Sequence, residues 1–68
     1  MTKKIWVVIP VYTCRLNGET IGKAKIVYSE KEASKDIFPK EYKSYWGEDD
    51  YDTYTISYVL VQEHEVTF

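Results

Sequence analysis

The chain has almost no cysteine and almost no histidine: one of each, Cys14 and His64, in 68 residues. A single thiol excludes an intramolecular disulfide framework, and with one imidazole it leaves a zinc site short of nitrogen and sulfur ligands. No apolar run is long enough to span a bilayer, since the longest reaches only about ten residues. That run follows Met1-Thr2-Lys3-Lys4 and superficially resembles a secretory signal, but Pro10 breaks it, β-branched residues fill it, and it lacks a small-residue cleavage site. There is no repeat, linker or low-complexity segment. Lysine and arginine are absent after residue 47. Residues 1–47 carry a net +4 and residues 48–68 a net −6. Such asymmetry means either opposed electrostatic faces or two segments that attract each other on folding.

What the chain does have is one stretch, Ile5 to Cys14, that is β-branched, aromatic and uncharged. Its alternate positions are Ile5, Val7, Ile9, Val11 on one side and Trp6, Val8, Pro10, Tyr12 on the other, and both sets are apolar. A strand apolar on both faces asks for cover on both. A single domain spanning residues 1–68 buries only about 60 % of its unfolded surface, so help from a partner is expected.

In chain order, a first strand is predicted from about Lys4 to Cys14, with Pro10 marking a bulge or an unpaired side. Asn17-Gly18 signals a hairpin turn. A second strand follows from about Thr20 to Tyr28, its lysines and small residues reading as a protected edge. Ser29 and Glu32 fit a capping box, and Ala33, Ile37, Tyr42 and Tyr45 fall near helical spacing, with Phe38 beside them. A helix interrupted or restarted at Pro39 and stopped at Gly47 is therefore expected. After an acidic loop, Glu48–Asp52, a third strand runs from about Tyr51 to Gln62, and residues 63–68 either extend it or leave the sheet. The expectation is an α+β domain, β-β-α-β, with a three-stranded antiparallel sheet in the order 2-1-3 and one helical segment packed on one face. A two-layer domain leaves one sheet face open, and Trp6, Val8 and Tyr12 are assigned to it, because Trp and Tyr tolerate water before binding.

Chemistry is sparse. Cys14 and His64 are the only nucleophile–base combination, and the topology sets them far apart along the sheet, so no enzyme is expected. The acids Glu48, Asp49, Asp50 and Asp52 lack the glycine and distant glutamate of a calcium loop. They read as a solvated turn or as charge offered to a partner, and no metal or cofactor is assigned. Asp50 with Asp52, and Glu63 with Glu65, place carboxylates about 6.5 Å apart along an extended chain, a row that suits a basic groove. Lysines interleaved with Trp6, Tyr12 and Tyr28 could bind nucleic acid, but a pI near 5.3 and the lack of a phosphate loop or aromatic RNA signature disfavour it.

In size, acidity and absence of catalytic motifs the chain resembles small phage-encoded proteins that inhibit host enzymes or defence complexes, anti-CRISPR proteins among them. The resemblance implies a stoichiometric inhibitor or adaptor acting on a nucleic-acid-handling complex, and no motif transfers a functional residue. The residues support a non-catalytic protein-binding module, with Trp6, Val8, Tyr12, Glu48, Asp49, Asp50 and Asp52 as the contact set. A homodimerising structural module is the second reading and a weak nucleic-acid binder the third. A lone thiol suits a reducing cytoplasm.

Overall fold

The computed structural model describes residues 1–67. Phe68, at the end of the expected strand or tail, lies outside them. Five strands form one antiparallel sheet: β1 (Thr2–Cys14), β2 (Gly18–Ile21), β3 (Lys25–Val27), β4 (Glu41–Tyr45) and β5 (Tyr51–Thr67). The order is β2-β1-β5-β4, with β3 on the same side of β1 as β2. The uncharged β1 thus lies between neighbours on both sides, and β5 pairs with it from Thr2 opposite Thr67 to Thr13 opposite Thr55.

The expected α+β class is overturned. Between Ser29 and Phe38 the backbone makes only two 3₁₀ turns, Glu30–Glu32 and Lys35–Ile37. Ser29 makes no side-chain cap hydrogen bond, so the capping box does not form. Ser34 instead opens a second turn by accepting from the Asp36 N–H at 3.3 Å. Pro39 then bars Phe38 from helical backbone, and Phe38 is extended at φ −112, ψ 156. Too few residues separate these stops for a helix to gain from cooperative growth. Beyond Pro39 the tyrosines choose the sheet: Tyr42 pairs with Tyr54, and Tyr45 with Tyr51. The three-residue spacing of Tyr42 and Tyr45 therefore places them on opposite faces of β4. Gly47 lies in the β4–β5 turn, where the Trp46 N–H donates to the Asp50 carbonyl at 3.0 Å.

Two irregularities set the faces. Pro10 accepts from the Gly22 N–H at 2.9 Å. Within a strand the N–H and C=O of one residue point the same way, so the donor Pro10 lacks faces Gly22 as well. The neighbouring strand breaks there into β2 and β3. On the other side, Val11 pairs with Tyr58 and Tyr12 with Ile56, so Ser57 is an extra residue bulged out of β5. The hairpin is a three-residue loop, Arg15–Asn17, closed by Gly18 at φ 78, and Gly18 alone of the Asn17-Gly18 pair takes the left-handed conformation.

The core lies on one face only. Val8, Val27 and Phe38 form its buried centre, and Trp6, Ala33, Ile37, Ile56 and Val59 pack around them. The irregular segment between β3 and β4 thus performs the covering that a helix was expected to perform. Its anchor is Tyr12, whose hydroxyl donates to the Pro39 carbonyl at 2.8 Å. Tyr12 meets Tyr42 edge-on at 5.0 Å, and Tyr42 stacks on Tyr54 at 4.9 Å, an arrangement that favours the ring quadrupoles.

Candidate functional site

The expected contact residues of β1 are inside. Val8 is 0 % exposed and Tyr12 4 % exposed, while Trp6 is half-buried against the core. The assignment of Trp6, Val8 and Tyr12 to an open face is corrected: that face of β1 is the one the chain covers. The reason is parity. Trp6 stands opposite Val27, and Val27 clusters with Val8 and Phe38, so the even positions of β1 face the side where Phe38 folds over.

The odd positions make the other face. Ile5, Val7, Ile9 and Val11 form its spine. Cross-strand partners share a face, so register adds Ile21 opposite Val11 and Ile26 opposite Val7, then Tyr58 opposite Val11 and Leu60 opposite Ile9. Ile21 is 66 % exposed, Ile26 57 % and Leu60 45 %. Among the described residues, no segment of the chain lies over this surface in the core packing. Val11 is nonetheless buried, because the flanking side chains close around it. A shallow depression of about 270 Å³ runs between Val11, Ile21, Tyr58 and Leu60, with Glu19 at its edge.

Polar groups ring this surface. At one end the Lys3 ammonium sits 4.7 Å from the centre of the Tyr28 ring, a cation–π contact. At the other end the Tyr58 hydroxyl donates to the Glu19 carboxylate at 3.1 Å. That hydrogen bond, with the negative charge beside it, holds the Tyr58 phenol above its ordinary value. Thr13 and Ser57 share a hydroxyl–hydroxyl hydrogen bond close by. An apolar centre with a polar rim is the usual anatomy of a protein-contact surface.

The acidic residues divide. Glu48, Asp49 and Asp50 are exposed in the β4–β5 turn. Asp52 lies in β5 and accepts from the Asn17 side-chain amide at 2.5 Å, so it ties the β1–β2 loop to β5. Among the described residues no group of three or more His, Cys, Asp and Glu converges as a metal site would. Cys14 stands opposite Gly18 and His64 opposite Ile5. The nine residue steps of β1 between Ile5 and Cys14 span roughly 30 Å. Among the described residues no helix is long and apolar enough to cross a membrane.

Sequence reasoning named none of Ile21, Ile26 or Leu60 as contact residues. The signal for Ile21 was present in the hairpin, since Gly18 at the left-handed position of a three-residue loop fixes Val11 opposite Ile21. Ile26 and Leu60 depend on the β2–β3 break and on the bulge at Ser57, which no local pattern announces.

No family model, curated protein or solved structure matches the chain. The resemblance to phage-encoded inhibitors and anti-CRISPR proteins accordingly has no support, and with the helix absent the α+β description falls too.

Proposed function

We propose that the chain is a non-catalytic protein-interaction module that works by stoichiometric binding, and that its contact surface is the open sheet face centred on Ile9. One observation carries this reading: a sheet whose central strand is apolar on both sides has a covering layer on one side only. Exposed isolated apolar residues are ordinary, but a contiguous set across four strands is not. Burying it against a partner is favourable at roughly 25 cal/mol per Å² of apolar surface removed from water. The exposed acids Glu48, Asp49 and Asp50 add negative charge at the β4–β5 turn, which favours encounter with a basic surface. A lone free thiol suits a reducing cytoplasm, where the binding would take place.

The test uses matched baits. Wild-type chain and the double variant Ile21→Lys/Leu60→Lys are immobilised, and the bound chains are compared. Both side chains are exposed, so the variant should keep its circular dichroism. Wild type is expected to retain a binding chain, itself or another, that the variant releases. Equal retention by both baits refutes the assignment of this face.

A further inference from the structure

We infer that the occupant of the open face is a second copy of this chain, packed sheet on sheet about a two-fold axis that crosses the strands. This rests on the reading of that face as a contact surface and names the partner.

Size favours a second copy. The apolar spine with its polar rim runs ten residue steps along β1, from Lys3 to Thr13, and is three strands wide. At ~3.3 Å per residue and ~4.8 Å per strand it measures about 33 by 14 Å in plan, or ~460 Å². Two copies therefore cover ~900 Å² of plan area. Ridged side chains expose more than their plan, so the closed pair reaches the ~1,000 Å² that separates a specific interface from an incidental contact. No further surface is required.

Stability gives the chain a use for a partner. Among the described residues the buried apolar side chains are Val8, Pro10, Val11, Tyr12, Val27 and Phe38, a small core for an elongated molecule of 52 × 18 × 16 Å. Chains of this length often obtain the remaining stability from oligomerisation. A second copy supplies an apolar layer of matching length, and aligned sheets pack about 10 Å apart with interdigitating side chains.

Charge sets the orientation. The face carries Lys3 and His64 at one end; at the other it carries Glu19, with Glu41 and Lys43 of β4 offsetting each other beside it, and its centre is uncharged. An isologous contact whose axis crosses the strands reverses the strand direction of the second copy. It lays the Lys3 end of each copy over the Glu19 end of its partner, whereas an axis along the strands would set lysine against lysine. The rim charges therefore select the antiparallel stacking.

Sedimentation velocity over a micromolar-to-millimolar range tests this, on four forms of the full chain: wild type, Ile21→Lys/Leu60→Lys, Lys3→Glu, and Lys3→Glu/Glu19→Lys. Wild type should sediment as a concentration-dependent dimer. The double lysine variant should keep its circular dichroism and dissociate about a hundredfold more readily or worse, since it places unpaired charge in the middle of the contact. Lys3→Glu should weaken the dimer, and the charge swap should restore it. A wild type monomeric throughout overturns the inference, as does a dimer indifferent to Ile21→Lys/Leu60→Lys, and a charge swap that fails to restore association overturns the two-fold arrangement. If wild type is monomeric yet holds a foreign chain that the lysine variant releases, the second-copy assignment fails while the contact face stands. If neither binding is found, both fail.

Discussion

Phe38→Ala is the sharpest test of how this sheet is covered. Phe38 is 6 % exposed and packs on Val8 and Val27 from a segment with no regular secondary structure beyond two short turns. Truncating a buried phenylalanine costs about 3–5 kcal/mol. The covering segment is irregular, so it can sag into the space left, which puts the loss near the lower end. The Lys25 ammonium, 5.2 Å from the ring centre, loses its aromatic partner and adds ~0.5 kcal/mol. A loss of about 3–3.5 kcal/mol follows. At ~0.05–0.15 kcal/mol per residue, a chain of this length has a total stability of roughly 3–10 kcal/mol. Phe38→Ala should therefore sit close to its unfolding midpoint or lower its urea midpoint by ~3 M, taking ~1 kcal/mol per molar as the slope for a small domain. The assay is urea unfolding followed by tryptophan fluorescence in a Trp46→Phe background, so that Trp6, against the core, is the only reporter. Protein concentration must be held constant, because self-association adds to apparent stability. A loss below ~1 kcal/mol would mean that Phe38 does not close the core.

Two further outcomes follow from the same face. Burial, then the neighbouring Tyr42, raises the Tyr12 phenol above its ordinary 10.0. The folded state therefore keeps that proton longer than the unfolded chain does. Its contribution to stability is complete below pH ~10 and is lost as pH climbs through the raised value. Phenolate absorbance should show a late-titrating component to which both Tyr12 and Tyr58 contribute; Tyr12→Phe should shrink it and leave the Tyr58 part, and a late component unchanged by Tyr12→Phe would contradict it. At Gly22 an added Cβ would lie 2.9 Å from both the Pro10 Cγ and the Tyr12 Cε2. Gly22→Ala should thus lower stability by about 1–3 kcal/mol in thermal melts, and an unchanged melting temperature would rule out that close approach.

Parts of this fold can be read from the sequence because they rest on local or compositional physics. An uncharged, two-faced apolar run belongs inside a sheet, and β1 lies between β2 and β5. The Gly18 turn and the antiparallel return of β5 beside β1 are legible for similar reasons. The helix is not there, because the Ser29–Glu32 signature and the helical spacing of Ala33 and Ile37 are weak preferences of tenths of a kcal/mol, while Pro39 is a steric prohibition. The open face is illegible for a different reason. Alternation divides β1 into two sets with certainty, but which set is covered depends on where Val27 and Phe38 land. Those positions follow from the break at Pro10 and the bulge at Ser57, and one extra residue reverses every side chain beyond it. The polarity of their tips points Trp6 and Tyr12 outward. In the folded chain Tyr12 spends that polarity on the Pro39 carbonyl.

The pairing of Thr2 with Thr67 has a kinetic side. Residues 15–50 separate the two longest strands, so the ladder between them cannot begin until β5 has started to emerge from the ribosome, and its Thr2 end must wait for Thr67. Contacts so distant in sequence must overcome loop-closure entropy before they return any stabilisation, and topologies of this kind fold slowly for their size. During that interval the uncharged run Ile5–Cys14 of β1 has only β2 and β3 to shelter one edge. Exposed apolar surface and an unpaired strand edge are the features that make incompletely folded chains prone to aggregate, and here both belong to the strand that later becomes the centre of the sheet.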